Sequence, residues 1–436
     1  MVVSEARELL RDWKGDSYIF GQGALDRMST FKSFVGDRAL LICSNSEWAR
    51  GPVERISGFL NENNISYGKA LSARPNCPRE DLYRVALNIK SHDPDCVIAL
   101  GGGSTIDCAK AASVLATYGP SEVSEALGVD WGSASTMEPY FGTGMVTAVR
   151  EATGRDIYPI LAVQTASGSA AHLTKYSNIT DPMVDQKKLI VDEAVVPGGA
   201  LFDYGVTYDA PRSLVLDGGL DGIAHLWEVF MGATDAGYEK IKRIASVGME
   251  LILGNLRAAV ADREAEAFTA LGLGTDLGGY AIMVGGTNGP HLGSFSLVDV
   301  LSHGRACAIL YPYYTAFFAE EIQDQLRTIA PIMERTGLID VRAAGLSGRA
   351  LGDAVAEGMM RLNGSLSFPT TLREAGATEG HLERMLEAAK NPQLRMKLMN
   401  MPVPMDPEAG DIERYMAGVL KAAYTGDLRY ITAKEK

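Results

Sequence analysis

The chain has 436 residues, of which 46% are hydrophobic and 22% are charged, and its formal net charge is −13. This length allows two or three domains, and the composition is ordinary for a soluble globular protein. The acidic balance argues against nucleic-acid binding, which needs a basic face. No run of 18 apolar residues predicts a membrane span. We therefore expect neither a nucleic-acid partner nor a membrane.

The first residues of the chain and its cysteines indicate the cellular compartment. Residues 1–16 lack the apolar region of a signal peptide and predict a short helix instead. The five cysteines are scattered and form no CxxC pair, which is typical of reduced thiols. We expect a cytoplasmic protein.

The first part of the chain alternates between strand-like and helix-like segments. Apolar runs typical of buried parallel strands occupy residues 38–44 and 96–100, and a weaker one occupies residues 65–73. Segments with helical spacing separate and follow these runs. The alternation predicts a parallel sheet with helices on both faces.

Residues 117–156 differ from their surroundings. They are rich in glycine, serine and proline and have little periodicity, which predicts an ordered excursion or a flap. Trp131, Tyr140 and Phe141 could line a substrate pocket, although we expect them to anchor the segment to the body of the protein.

From about residue 207 onward the spacing of apolar residues becomes helical. Long helical stripes of apolar residues, such as those at 218–230 and 241–261, follow one another as far as residue 389. We predict an α/β domain over residues 1–205 and an all-α domain over residues 206–436.

Three glycines and a serine follow the strand at 96–100. Gly101, Gly102 and Gly103 allow the backbone to approach a ligand closely, and Ser104 is a suitable N-cap. The first N–H groups of a helix carry the positive end of its dipole. These features predict a phosphate-binding turn where α/β sheets bind ligands. The alternative is a tight turn without a ligand, because neither GxGxxG nor GK[ST] is present.

A second group of residues could hold a metal ion. Asp221 and His225 are four residues apart on one face of a predicted helix, although such a pair more often forms a surface hydrogen bond. His291 lies in a glycine-rich segment predicted to be a turn, and His303 interrupts an apolar stretch. A divalent metal that needs three or four nitrogen or oxygen ligands could gather these side chains.

Several motifs resemble those of the iron-containing (group III) alcohol dehydrogenases. GGGSTIDCAK at 101–110 resembles the family's GGGSxxDxAK, and DGIAH at 221–225 resembles its metal-binding DxxxH. QTASGSAAHLTKYSNITD, KKLIVDEAVVPGGALFD, HGRACAILYP and LSFPTTLREAG resemble four further family motifs in the family's order. The resemblance covers nearly the whole chain.

This resemblance implies a dehydroquinate synthase-like fold, in which an α/β domain binds NAD or NADP and a helical domain holds Fe²⁺ or Zn²⁺. It implies a metal-dependent, NAD(P)-linked alcohol dehydrogenase, or aldehyde or ketone reductase, that forms homodimers. Hydride would pass between C4 of the nicotinamide and a metal-bound alcohol or carbonyl.

The family's motifs also imply roles for individual residues. The residues at cofactor-binding positions are Asn45, Gly101, Gly102, Gly103, Ser104, Asp107, Thr165, Ser169 and Lys187. The residues at metal-binding positions, which are also the expected catalytic residues, are Asp221, His225 and His303, with His291 as the predicted fourth ligand.

The fourth ligand is predicted despite a departure from the family pattern. The family has two histidines four residues apart before the HG motif, and the first is a ligand about fourteen residues upstream. Here only His291 is present, twelve residues before His303. Asp299 is the runner-up, water is a further alternative, and His291 could instead shuttle a proton.

The choice between NAD and NADP has one local signal. After the strand at 38–44 the family often places an acid that binds the ribose 2′-OH and rejects NADP. This chain has Asn45 there, between Ser44 and Ser46, with Arg50 near in sequence. With no carboxylate at this position to repel a 2′-phosphate, NADP is favoured.

Two other functions remain open. Glycerol-1-phosphate dehydrogenases and dehydroquinate synthases belong to the same superfamily but handle anionic substrates. They would want several basic residues, and Arg305 is the nearest one to the metal motifs. The missing second histidine also leaves open a non-catalytic nucleotide-binding relative.

Overall fold

The computed structural model describes residues 2–128, 138–183, 186–234, 237–340 and 342–434. It divides into two compact units, one of residues 11–211 and one that combines residues 1–10 with 212–436. The sequence placed the division at residue 205 and kept the first ten residues in the α/β domain. In the structure they group with the helical unit, where Glu5 Oε1 lies 2.7 Å from Arg243 Nε.

The described residues of the unit 11–211 form nine strands, numbered along the chain. They are β1 (Tyr18–Gly21), β2 (Arg38–Cys43), β3 (Ser66–Leu71), β4 (Cys96–Gly101), β5 (Gly142–Thr143), β6 (Ile160–Gln164), β7 (Tyr176–Asp181), β8 (Gln186–Val191) and β9 (Gly199–Asp203). Six form one sheet in the order β1-β9-β6-β4-β2-β3, in which all neighbouring strands are parallel. The other three form a small sheet in the order β5-β8-β7.

Strand β4 shows why the apolar runs are continuous. All six of its residues are buried. Val97 and Ala99 join the core on one face of the large sheet, while Ile98 and Leu100 join the core on the other. A parallel strand covered on both faces needs apolar residues at every position, so the run does not alternate. The predicted parallel α/β architecture is confirmed.

Seven α-helices begin among the described residues of the segment 1–211. They are α1 (Val2–Lys14), α2 (Lys32–Val35), α3 (Arg50–Glu62), α4 (Arg79–His92), α5 (Gly103–Thr117), α6 (Pro120–Leu127) and α7 (Met145–Thr153). Helices α6 and α7 lie in the segment 117–156, where the sequence showed little periodicity. Glycines in left-handed conformations, such as Gly128 and Gly144, bound these short helices and obscure their period.

The aromatic residues of the 117–156 segment were expected to anchor it, and two of them do. Tyr140 and Phe141 are buried in the core of the α/β unit. The Tyr140 hydroxyl donates a hydrogen bond to the Tyr118 carbonyl oxygen at 2.9 Å. Trp131 lies outside the described residues.

The second unit is helical among the residues that the structure describes. Its helices are α8 (Arg212–Met231), α9 (Tyr238–Arg257), α10 (Ala265–Val284), α11 (Gly289–Ser294), α12 (His303–Phe318), α13 (Gln323–Arg335), α14 (Gly348–Ser365), α15 (Glu379–Ala389), α16 (Arg395–Met399) and α17 (Ala417–Thr425). The predicted all-α architecture is confirmed.

Helix α11 replaces the turn that glycine content predicted. Pro290 stands in its first turn, where the absent N–H costs nothing, and the Asn288 side chain accepts a hydrogen bond from Gly289 N at 2.7 Å. These start signals outweigh the glycines and hold His291 on a short helix.

Two segments, Tyr238–Asp262 and Ala265–Val284, are long and apolar enough to cross a membrane by length and composition alone. In the structure, 56% and 83% of their most apolar windows are buried. A core helix of a soluble protein passes the same test, and packing inside the helical unit accounts for this composition.

Candidate metal centre and cofactor turn

Four predicted metal-binding residues converge in the helical unit. Asp221 and His225 lie one turn apart on α8, His291 lies on α11, and His303 begins α12. The Nε2 atoms of His225 and His291 are each 4.0 Å from Asp221 Oδ1, and that of His303 is 3.9 Å away. Three side chains are buried, while that of His303 is 21% exposed and gives the cluster its open side.

These atoms fit a divalent cation. Two ligand atoms that each bond one ion at about 2.0–2.2 Å can be at most about 4.4 Å apart, and all three Nε2–Oδ1 separations are shorter. Asp221 Oδ1 and His225 Nδ1 are buried and make no hydrogen bond within the described part of the chain. Buried polar atoms without a partner need an explanation, and a cation supplies one for Asp221.

His291 is oriented by a buried carboxylate. Its Nδ1 is 2.7 Å from Glu228 Oε1, and Glu228 Oε2 accepts a hydrogen bond from Asn288 N at 2.9 Å. In its ionised form Glu228 can only accept a hydrogen bond, which holds the His291 proton on Nδ1 and turns the lone pair on Nε2 toward Asp221. Burial raises the pKa of the fully buried Glu228 carboxyl, and the Asn288 and Lys397 contacts oppose that rise.

His303 is oriented by a hydroxyl. Ser294 Oγ donates to the His291 carbonyl oxygen at 2.8 Å and lies 2.9 Å from His303 Nδ1. Because the hydroxyl proton is already used, Oγ accepts from Nδ1–H, and the His303 lone pair lies on Nε2. His291 and His303 therefore both present the same ring nitrogen to Asp221.

His225 is held neutral by its surroundings. Burial lowers the pKa of its imidazole to about 4, and the attraction of Asp221 only partly offsets this. The neutral ring is the form that binds metals, so it needs no deprotonation near neutral pH.

A glycine lets the two ligand-bearing helices approach each other. A Cβ on Gly304 would lie 2.4 Å from the Asp217 carbonyl oxygen and 3.0 Å from the Asp221 Cβ. Any larger residue would push the start of α12, and with it His303, away from α8. This contact gives a physical reason for the glycine after His303.

Asp299 and Arg305 form ion pairs outside the metal cluster. Asp299, the runner-up as fourth ligand, pairs with Arg384 and lies 3.4 Å from His381 Nε2, outside the cluster. Its exposed position on the loop before α12 explains this difference from the expectation. Arg305 Nε is 2.5 Å from Asp217 Oδ1, so its charge is compensated within the unit.

Sequence reasoning missed two residues of the cluster. Glu228 follows His225 by three residues on α8, a spacing that puts both near one face, and its charge in an apolar helix was the available signal. Cys307 follows His303 by four residues on α12. Ligand atoms of Asp221, His291, His303 and Cys307 all lie within 4.8 Å of one another.

Most of the predicted cofactor-binding residues lie at the carboxyl ends of adjacent strands. Asn45 follows β2, Gly101 ends β4 and Gly102–Ser104 follows it, and Thr165 and Ser169 follow β6. Thr165 N donates to the Gly101 carbonyl oxygen at 3.1 Å and joins two of these ends. Carboxyl ends of neighbouring parallel strands form the edge at which open α/β sheets bind ligands.

The glycine turn differs in one detail from the expected cap. Helix α5 begins at Gly103 with Gly102 in the cap position, and Ser104 lies inside the first turn. Ser104 Oγ accepts a hydrogen bond from Asn76 N at 3.0 Å. The predicted capping role of Ser104 is therefore wrong, because the helix is capped two residues earlier, at Gly102.

The close approach at Gly103 is a packing requirement of the protein itself. A Cβ there would lie 2.8 Å from both Cβ and Oγ of Ser169. The glycine thus allows the segment after β6 to lie against the start of α5, whether or not a ligand is present.

Asp107 and Lys110 join α5 to the small sheet. Asp107 Oδ2 accepts hydrogen bonds from Asn178 N and Nδ2 at 3.0 and 3.1 Å, and Lys110 Nζ donates to the Thr174 and Tyr176 carbonyl oxygens at 2.7 and 2.8 Å. Burial raises the pKa of Asp107, which Lys110 and Lys187 oppose. Lys187 itself lies on β8. These contacts give Asp107 a structural role, and its predicted role in cofactor binding stays a prediction.

Asn45 lies in an open pocket of about 340 Å³ at the end of β2. Its lining residues are Ser44, Asn45, Ser46, Glu47, Arg50 and Val53. Arg50 is exposed at the start of α3 and forms no ion pair among the residues described. The pocket therefore contains polar hydrogen-bond donors, the Arg50 guanidinium and the Glu47 carboxylate. Within the described part of the chain, these two charged groups form no ion pair with each other.

A parallel α/β unit with a glycine turn, joined in one chain to a helical unit with an aspartate–histidine cluster, defines a nucleotide-binding metalloprotein. Comparison with known proteins agrees. Residues 16–204 match the family model of the iron-containing alcohol dehydrogenases, and residues 215–409 match the model of that family's C-terminal part.

Named relatives show the same likeness. The NADPH-dependent butanol dehydrogenase of Clostridium saccharobutylicum is 24% identical over 84% of this chain and 87% of its own. The NAD-dependent methanol dehydrogenase of Bacillus methanolicus is 24% identical over 85% and 91%. The fold matches that of an alcohol dehydrogenase from Oenococcus oeni with a TM-score of 0.76 and 21% identity, over 93% of this chain and 98% of the other.

The chain belongs to the iron-containing alcohol dehydrogenase family, which confirms the resemblance drawn from its motifs. It is an oxidoreductase that acts on CH–OH groups, a metal-dependent alcohol dehydrogenase or aldehyde reductase linked to NAD(P).

Proposed function

We propose that this enzyme interconverts a small, uncharged alcohol and its aldehyde or ketone, with NADP as the preferred cofactor. The observation that carries the proposal is the convergence of three histidine Nε2 atoms on one buried aspartate oxygen. Several relatives support a small substrate, because their names specify butanol, methanol and lactaldehyde, whereas one other relative is named for long-chain alcohols.

Asp221, His225, His291 and His303 are the proposed protein ligands. A divalent cation, Fe²⁺ or Zn²⁺, would act as a Lewis acid on the alcohol or carbonyl oxygen while the nicotinamide accepts or donates hydride. Glu228 and Ser294 hold the rings of His291 and His303 with Nε2 toward Asp221.

A ligand role suits His291 better than a proton shuttle. Its Nδ1 is held by Glu228 and its Nε2 faces Asp221, while the side chain is only 4% exposed. A shuttle needs a path to solvent, which the more exposed His303 would offer more readily.

In the other unit, Gly101–Ser104 and the first N–H groups of α5 are proposed to bind the pyrophosphate. Thr165 and Ser169, with Lys187, would contact the cofactor in the manner that the family's motifs imply. The preference for NADP is supported by Asn45 and by the uncompensated cation of Arg50. Glu47 lines the same pocket and is the one group that would favour NAD.

An anionic substrate is less well supported. Arg305, the basic residue nearest the metal motifs in sequence, is neutralised by Asp217 at 2.5 Å and lies over the Phe368 ring.

We also propose a cytoplasmic homodimer. Strand β3 at one edge of the large sheet, which exposes Leu71, supports self-association, and light scattering of the purified protein tests it.

The first experiment measures the metal content of the purified protein together with oxidation of NADPH and NADH against a panel of small aldehydes and ketones. We expect about one Fe or Zn per chain, turnover that a chelator abolishes, and faster oxidation of NADPH. Turnover with phosphorylated substrates alone would instead favour the anionic class.

Two carboxylate variants sharpen this experiment. Asp221→Asn should lose the metal and reduce kcat/KM by about 10³-fold or more, equivalent to ~4 kcal/mol of transition-state stabilisation. Asp299→Asn is the matched control and should keep both, because its partly exposed ion pairs contribute little. An Asp221→Asn protein with full metal content and activity would refute the proposed site.

A further inference from the structure

Cys307 stands at the metal cluster without a role in the function proposed above. It lies one turn after His303 on α12 and is fully buried. Its Sγ and the ligand atoms of Asp221, His291 and His303 lie within 4.8 Å of one another. The chain's other cysteines are all in the first 108 residues.

We propose that Cys307 is a further ligand of this metal centre, and that its sulfur makes the site prefer Zn²⁺ over Fe²⁺. The inference rests on the proposed metal site and goes beyond it, because the family resemblance implied only nitrogen and oxygen ligands. Cys307 completes a donor set with Asp221, His291 and His303. His225 is not part of that set, although its Nε2 lies 4.0 Å from Asp221 Oδ1.

The helix places the sulfur correctly. Residues four apart in a helix lie on one face, one above the other, so the side chain of Cys307 follows that of His303 along the same face of α12. A sulfur bonded at about 2.3 Å and a nitrogen bonded at about 2.1 Å to one ion are at most about 4.4 Å apart. The observed limit of 4.8 Å exceeds that value by about 0.4 Å, so the ligand atoms would have to move slightly closer together to bind one ion.

A cation nearby suits a thiolate. Burial lowers the pKa of Lys397 on α16 to about 8, and the charges of Glu228 and Cys307 oppose that lowering. Its ammonium group is held by a hydrogen bond to the Thr287 hydroxyl. A thiolate in an apolar interior needs such compensation, whereas a buried neutral cysteine does not.

The chemistry of binding is a simple exchange. As the S–metal bond forms, the S–H bond breaks and its proton passes to water, with no change of oxidation state. Thiolate is a soft ligand that selects Zn²⁺, while a purely nitrogen and oxygen site accepts either metal. A thiolate in the set therefore shifts the preference between the two ions.

Cobalt(II) reports the ligand directly. The metal-free full-length chain is loaded with Co²⁺ without oxygen, and its absorption spectrum is recorded. We expect visible d–d bands from the bound ion and, in addition, a near-ultraviolet sulfur-to-cobalt charge-transfer band. Cys307→Ser and Cys307→Ala should lose the charge-transfer band, and Cys96→Ser, which removes a buried thiol from β4, should keep it.

Competition with a chelator then gives the affinities. In Cys307→Ser the Zn²⁺ affinity should fall by about 10-fold or more, since even outer-shell partners change affinity by about 10–100-fold, and the Fe²⁺ affinity should fall less. Wild-type protein that binds one Co²⁺ with d–d bands but no charge-transfer band would overturn this inference and leave the proposed function intact. Wild-type protein that takes up no metal at all would overturn both.

Discussion

The metal cluster and the glycine turn are both anticipated by motifs, but their structures explain those motifs differently. The four glycine-turn residues are consecutive, and Gly103 is already required by its contact with Ser169 in the protein. The metal cluster draws on three helices, and its aspartate oxygen makes no hydrogen bond among the described residues.

Unsatisfied buried polar atoms point to a ligand more directly than close-packed glycines do. A glycine that packs against its own protein is accounted for without any cofactor. A buried carboxylate oxygen facing three ring nitrogens is not accounted for by packing, because burying such atoms without partners costs free energy. The metal proposal thus stands on geometry, and the cofactor proposal rests more on strand-end topology and family membership.

The largest expected effect tests whether the surroundings of the metal cluster are built for binding. Glu228→Gln keeps the shape of the side chain but removes the charge that holds His291 Nδ1–H. We expect metal affinity to fall by about 10–100-fold while circular dichroism stays unchanged, as measured by competition with a chelator.

Glu250→Gln is the control for that variant. Glu250 is a carboxylate of the same unit, paired with Arg335 outside the cluster, and its loss should leave metal affinity unchanged. Equal metal affinities in the wild type and both variants would mean that Glu228 serves only packing. The metal cluster and the glycine turn would then differ less in how far they are built for a ligand.

An intermediate effect tests whether the glycine turn serves more than packing. Gly103→Ala should lower the free energy of unfolding by about 1–3 kcal/mol, because its Cβ meets Ser169. Adding Ser169→Gly removes the obstruction and should restore most of that stability in a urea titration.

Cofactor binding separates the two explanations for Gly103. If the backbone must approach a pyrophosphate, the double variant should still bind NADPH about 10-fold more weakly than Ser169→Gly alone, because the new Cβ occupies the approach. Equal dissociation constants for those two proteins would show that Gly103 serves packing only.

The smallest expected effect concerns the pocket after β2. Asn45→Asp places a carboxylate where the adenosine ribose is proposed to bind, and it should shift the NADPH-to-NADH preference in kcat/KM by about 10-fold toward NADH, or ~1.4 kcal/mol. Asn61→Asp adds the same charge near the other end of α3, about 16 Å away along the helix and beyond the screening length, and should change nothing. No shift in Asn45→Asp would move cofactor selection to another residue of the pocket.

Local patterns anticipated much of this molecule because they record local physics. The apolar run of β4 reflects burial on both faces of a sheet, and the spacing of Asp221 and His225 reflects one helical turn. The motif order also predicted the family, which the comparisons confirm. Ser104 was misjudged, because the choice of cap depends on where the turn closes rather than on residue type.

The sequence by itself determined the parallel α/β unit, the helical unit, the family and the aspartate–histidine pair, since each depends on neighbours within a turn or a strand. Only the tertiary structure decided that His291 joins the pair while Asp299 does not, and that Glu228 and Cys307 stand beside it. His291 and Cys307 are separated from Asp221 and His225 by many residues and meet them only because α8, α11 and α12 pack together, a contact that sequence spacing does not record. Glu228 is close to the pair in sequence, and the structure adds its contact with His291.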